Sequence, residues 1–179
     1  MANTDAQDLI DTLQRHRQFL LQTAEGLSEA QARERSTVSA LTIAGILKHV
    51  ADTEEQWAAF AQRGPEAFGQ IYNEDIDWEA VSEASEAGES WEDPRFDVTE
   101  SDTLPLLRER IVEVGAATSA LLSTANLDTA QPLPEAPWFE PGASWSVRRV
   151  ALHLLAEISQ HAGHADIIRE AIDGQRTMG

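Results

Sequence analysis

Apolar positions recur at helical spacing in four long stretches of the chain. In the first, over residues 5–26, Leu9, Leu13, Leu20 and Ala24 follow one another at intervals of four and seven, which marks one buried stripe. His16 falls on the path of that stripe and is expected as a partly buried residue at the core edge. The pattern breaks at GLSEAQARERSTVSA, where Ser28 is placed to cap a short helical turn. The second stretch opens at Thr42, a good N-cap, and runs through Ile43, Ile46, Leu47, Val50, Trp57 and Phe60 before Gly64–Pro65 ends it. His49 borders its apolar face. The third follows Thr103, which is placed to cap it, with Pro105 tolerated in the first turn and Leu104, Leu107, Ile111, Val114 and Leu121 as its stripe. The fourth runs from Ser146 to Gly174, a suitable C-cap.

No alternation long enough for a strand appears, and no internal repeat. Four amphipathic helices with two long connections predict an all-α fold, a four-helix bundle forming one domain over residues 1–179.

The connection over residues 65–100 is too long for an ordinary loop. It holds 12 acidic residues against one arginine, Arg95, so it is expected to lie on the surface. Phe68, Tyr72, Trp78 and Trp91 are its expected anchors, and it reads equally well as a lid or as an inert crossover. The second connection carries four prolines between residues 132 and 141.

Charge and composition narrow the function. A formal charge of −18 argues against binding nucleic acid or an anionic membrane. The absence of cysteine excludes disulfides and a thiol of the protein's own, so a metal site would use nitrogen and oxygen donors. The start MANTDAQDL shows no basic stretch followed by an apolar run, and a cytoplasmic location is expected.

The last helix concentrates the chemistry. His153, Glu157 and His161 are successive steps of four, and His164 follows three later, so all four project from adjacent parts of one face. Val150 and Ile168 continue the line at both ends, which turns it inward. A buried carboxylate needs a compensating charge, and neutral imidazoles do not supply one, whereas a divalent cation does. Two donors at i and i+4 grip one side of such an ion, and His49, on the inner edge of another helix, is the candidate third. Three protein donors leave a position open, as in catalytic zinc sites. Spacing alone leaves two registers, His153 with Glu157 or Glu157 with His161.

The segments LTIAGILKHVADTEEQW and SVRRVALHLLAEISQHAGHADIIREAIDG resemble the DinB-like superfamily of metal-binding four-helix bundles. They look closest to an actinobacterial branch related to mycothiol-dependent enzymes. The resemblance covers most of the chain and is loose in the acidic crossover. It implies three ligands to one divalent metal per chain: a histidine on the second helix, matching His49, and two residues four apart on the last. Many members use two histidines there, while mycothiol-dependent maleylpyruvate isomerases use glutamate then histidine, which matches Glu157 and His161. This register is preferred because Ala162–Gly163 falls where relatives carry Arg-Gly after the last ligand. His164 then takes the place of a polar residue near the metal that orients substrate or relays a proton. His153, with Trp78 and Trp91, is expected to line the pocket for the co-substrate. Zinc is the favoured ion, with nickel and iron also suited to these donors. The implied activity is a mycothiol S-transferase acting on a small electrophilic substrate in stress or detoxification. A metal-dependent hydrolase and a non-catalytic metal- or ligand-binding bundle are the alternatives, and a homodimer is compatible with the sequence.

Overall fold

A computed structural model describes residues 4–72, 93–136 and 139–177, with the backbone alone at 70–72. Among the described residues the long helices are α1 (Thr4–Thr23), α3 (Ile43–Arg63), α4 (Leu104–Thr124) and α5 (Val147–Asp173), with a single turn, α2 (Glu29–Ala32), between the first two. Helix α1 packs on α5 and α4, and α3 packs on the same two, so α1 faces α3 across the bundle. The buried stripe positions of all four meet in one core that includes Leu13, Leu20, Ile46, Leu47, Phe60, Ile111, Leu154 and Ile158.

The helix ends follow local chemistry. Ser28 and Gln31 form a reciprocal capping box on α2. The hydroxyls of Thr42 and Ser146 accept from the backbone N–H of Gly45 and Arg149. Thr103 occupies the N-cap of α4, but contrary to expectation its side chain makes no capping hydrogen bond. Gly174 closes α5 at φ 78°, a left-handed conformation that glycine adopts at no steric cost. Helix α1 stops at Thr23, sooner than the apolar spacing predicts. Beyond it the buried Arg169 donates to the carbonyls of Thr23 and Glu25 at 2.8 and 2.7 Å, which satisfies groups the helix leaves open. His16 is half-buried as expected, with Ser159 Oγ 3.1 Å from its Nδ1.

The stripe on α4 includes Leu122, which is 2% exposed, beside the half-buried Leu121 that packs against the core. One further expectation needs correction. The chain also contains strands: β1 (Ala130–Pro132) pairs antiparallel with β2 (Ser144–Ser146), with Gln131 opposite Trp145. Three-residue strands carry too few positions for an alternation to be visible in sequence.

The crossover leaves α3 through a 3-10 stretch, Gly64–Tyr72, that buries Phe68. It returns through a 3-10 turn, Pro94–Phe96, packed on α3. That return is close. A Cβ on Gly45 would stand 2.5 Å from the carbonyl oxygen of Phe96, so only glycine fits there.

Candidate metal centre

Helix α5 presents Glu157 and His161 one turn apart, and α3 presents His49 opposite them. Glu157 Oε2 lies 3.8 Å from His49 Nε2 and 3.6 Å from His161 Nε2. One donor atom from each of the three residues falls within 4.8 Å of the others. His49 and His161 are buried, at 4% and 8% exposure, while Glu157 is half-buried.

The donor set fits a divalent ion. Two imidazole nitrogens and a carboxylate oxygen converge without hydrogen-bonding distances between them, so their lone pairs remain available. The facing imidazoles of His161 and His49 hold the Glu157 carboxyl well below the usual carboxylate range, against the opposing effect of burial. The carboxylate is therefore ionised wherever the histidines are neutral, as metal binding requires.

The supporting shell comes from three elements. Phe96 of the crossover stacks on His49, with centroids 4.1 Å apart and planes at 25°. Thr53 Oγ1 lies 3.5 Å from His49 Nε2. His153 sets Nε2 4.0 Å from the second oxygen of Glu157, and its ring meets the edges or faces of Trp57 and Trp145 at 4.7 and 5.2 Å. Burial lowers the pKa of His153, with the Glu157 charge opposing that shift.

The centre opens on a cleft of about 770 Å³ whose lining includes His49, Glu157, His153, Thr53, Trp57 and Trp145. His153 lines the cleft as anticipated. His164 is not among the lining residues. Its ring packs against His161 with centroids 5.4 Å apart, and burial lowers its pKa. Its Nδ1, like that of His161, is buried without a partner among the described residues. Trp78 and Trp91 lie outside the described residues.

Sequence reasoning missed Phe96, Trp145 and the cleft side of Trp57. Trp57 gives no signal because it reads as an ordinary core residue. Trp145 reaches the cleft through the hairpin, where it stacks on Trp57 at 4.8 Å and 19°.

Comparison with known proteins shows the family and the fold. A family model described as mycothiol-S-transferase matches residues 8–174. Among solved structures, a conserved protein from Enterococcus faecalis superposes with a TM-score of 0.65, covering 98% of this chain and 99% of its own, at 17% identity. That likeness shows the fold alone. No curated protein matches the chain.

Proposed function

The chain belongs to the mycothiol S-transferase family, and from that premise we propose that it is a metal-dependent enzyme joining the thiol of mycothiol to a small electrophile. The observation that carries the reading is the convergence of His49, Glu157 and His161, with His49 and Glu157 lining an open cleft. A divalent ion held there, zinc being favoured, supplies a Lewis acid that lowers the pKa of a thiol.

The protein's own residues do the rest. Phe96 and the buried faces of His49 and His161 keep water from the inner side of the centre, where low dielectric strengthens each electrostatic contact. His153 and Thr53 flank the cleft side, so they meet whatever enters it. His164 touches His161 rather than the cleft, and in this reading it is a positioning residue that fixes the ring of a ligand. In the overall change the thiol gives up its proton to solvent, a sulfur–carbon bond forms, and the electrophile's leaving group departs with its electron pair.

The test is turnover. Metal-loaded protein mixed with mycothiol and a haloalkyl electrophile should form the thioether faster than the uncatalysed mixture, and His161→Ala should remove the gain. Metal-dependent ester or amide hydrolysis with no effect of mycothiol would replace this reading with a hydrolase. Metal binding without turnover across both panels would leave a binding protein.

A further inference from the structure

Helix α5 needs one apolar face, the one it turns to the core, yet it carries a second on its outer side. Leu152 is 44% exposed and Ile167 is 63% exposed. Between them Ala156, Gln160 and Gly163 are exposed as well. At about 100° per residue these positions fall within one narrow strip, with the exposed Arg149 and Glu170 at its two ends. An amphipathic helix ordinarily sets charged residues on the face away from the core. From Leu152 to Ile167 this strip carries none, in a chain whose formal charge is −18.

Gly163 is not explained by the fold of a single copy. Glycine inside a helix is unfavourable relative to alanine. No atom lies within 4 Å of the place its Cβ would take, so packing within this chain does not require it. A missing side chain on an exposed helix face admits the close approach of a surface from outside.

The order of the strip says what that surface is. Read outward from the Ser159–Gln160 peptide, it is alike in both directions. Ala156 and Gly163 are small residues at equal distances, Leu152 and Ile167 are large apolar ones, and Arg149 and Glu170 carry opposite charges. Two copies of α5 laid antiparallel, with a two-fold axis at that peptide, set Ala156 of each against Gly163 of the other. Leu152 then meets Ile167, and Arg149 meets Glu170. Each contact occurs twice, as a two-fold interface requires. The small residues lie near the axis, where the helices come closest, and the large ones fill the space where they diverge. A partner of unrelated sequence gives no reason for this symmetry.

The charges at the ends are available. Arg149 has no carboxylate partner among the described residues, and its guanidinium rests over the Trp145 ring, 5.0 Å from the centroid. Glu170 meets Arg176 through Oε1 in an exposed pair, and its Oε2 has no partner among the described residues. Exposed pairs of that kind contribute little, so Glu170 can take a second cation.

We propose that the outer strip of α5 is the interface of a two-fold homodimer, with Arg149 of each copy paired to Glu170 of the other. The inference stands apart from the thiol-transferase reading. The strip runs beside the face that bears His153, Glu157 and His161, so the second copy sits along the flank of the candidate metal centre.

Sedimentation equilibrium of the metal-loaded full chain should show a reversible dimer. Gly163→Gln meets open space in one copy, so its circular dichroism should match that of the wild type. Its Kd for dimerisation should rise at least about tenfold, because two bulky side chains enter the closest part of the interface. Arg149→Glu and Glu170→Arg should each raise Kd at least about tenfold by setting like charges together. The double variant Arg149→Glu with Glu170→Arg should recover most of the affinity. A chain that stays monomeric from micromolar to millimolar concentration overturns the proposal. So does a dimer whose Kd is unchanged by Gly163→Gln, or a double variant that binds no more tightly than the single ones.

Discussion

His49 and Glu157 stand on different helices, yet Nε2 of one lies 3.8 Å from Oε2 of the other, with His161 Nε2 3.6 Å from the same oxygen. Such a gap is too long for a good hydrogen bond and suits a cation held between the atoms. Purified protein should therefore carry about one divalent ion per chain. His49→Ala, Glu157→Ala and His161→Ala should each weaken binding by more than about 100-fold, a floor set by the 10–100-fold that outer-shell changes cost. His16→Ala, remote from the centre, should leave it intact. His153→Ala and His164→Ala should retain the ion with a loss of roughly tenfold. Metal analysis and competition with a chelator measure this. Loss of the ion in His153→Ala with retention in His161→Ala would select the other register on α5.

Acid should release the metal. A protonated imidazole has no lone pair to donate. Glu157 is held ionised well below the usual carboxylate range, so acid acts on the centre through its imidazoles first. The apparent affinity should then fall as acid protonates those donors. The metal-free protein has its own sign. A carboxyl with a depressed folded pKa stabilises the fold above its unfolded value of 4.5 and loses that contribution as pH falls further. Glu157→Gln should remove this component from the acid limb of a stability profile. Binding unchanged down to pH 4.5 would argue against two histidine donors.

A second buried charge holds the bundle together away from the cleft. Arg17 of α1 crosses the core to Glu54 of α3, donating from Nε at 2.9 Å and from Nη2, with side-chain exposures of 7% and 1%. The guanidinium lies over Gly115 of α4, where a Cβ would come within 2.8 Å of Arg17 Cδ. Removing one partner leaves an uncompensated buried charge. Arg17→Met alone should cost about 3–5 kcal/mol, lowering Tm by roughly 6–20 °C for a chain of this size. The double change Arg17→Met with Glu54→Leu should recover most of that loss. Thermal melts of both variants decide it, and a double variant no better than the single would deny that the pair acts as a unit.

What could be read from sequence divides along physical lines. The four helices were legible because each buries one stripe, and the caps at Ser28, Thr42, Ser146 and Gly174 are local chemistry. The candidate donors were legible because four titratable residues on an inward face need a reason. The Arg17–Glu54 pair was not, since either residue alone reads as solvated surface. Phe96 and Trp145 were not, because a short 3-10 turn and a three-residue strand have no periodicity, and their positions are set by tertiary packing. The reach of the crossover back to α3 depends on one missing methyl group, at Gly45, which spacing does not reveal.

That missing methyl ties the crossover to the centre, and Gly45→Ala tests the link. Alanine is the better helix former, so in an exposed helix the change would stabilise the protein by about 1 kcal/mol. Here its Cβ would stand 2.5 Å from the carbonyl oxygen of Phe96 and 3.1 Å from the capping Oγ1 of Thr42. The first obstacle is backbone, so the Pro94–Phe96 turn must move away from α3. Phe96 would then withdraw from its stack on His49 and from its contact with His161, whose centroid lies 5.5 Å away. The variant should lose about 1–3 kcal/mol of stability through overpacking. It should also bind metal more weakly, by roughly tenfold, because the supporting shell of His49 has shifted. Calorimetric unfolding of the metal-free protein isolates the packing cost, and metal titration isolates the effect on the centre. A variant destabilised as expected but unchanged in metal affinity would show that Phe96 shelters His49 without orienting it.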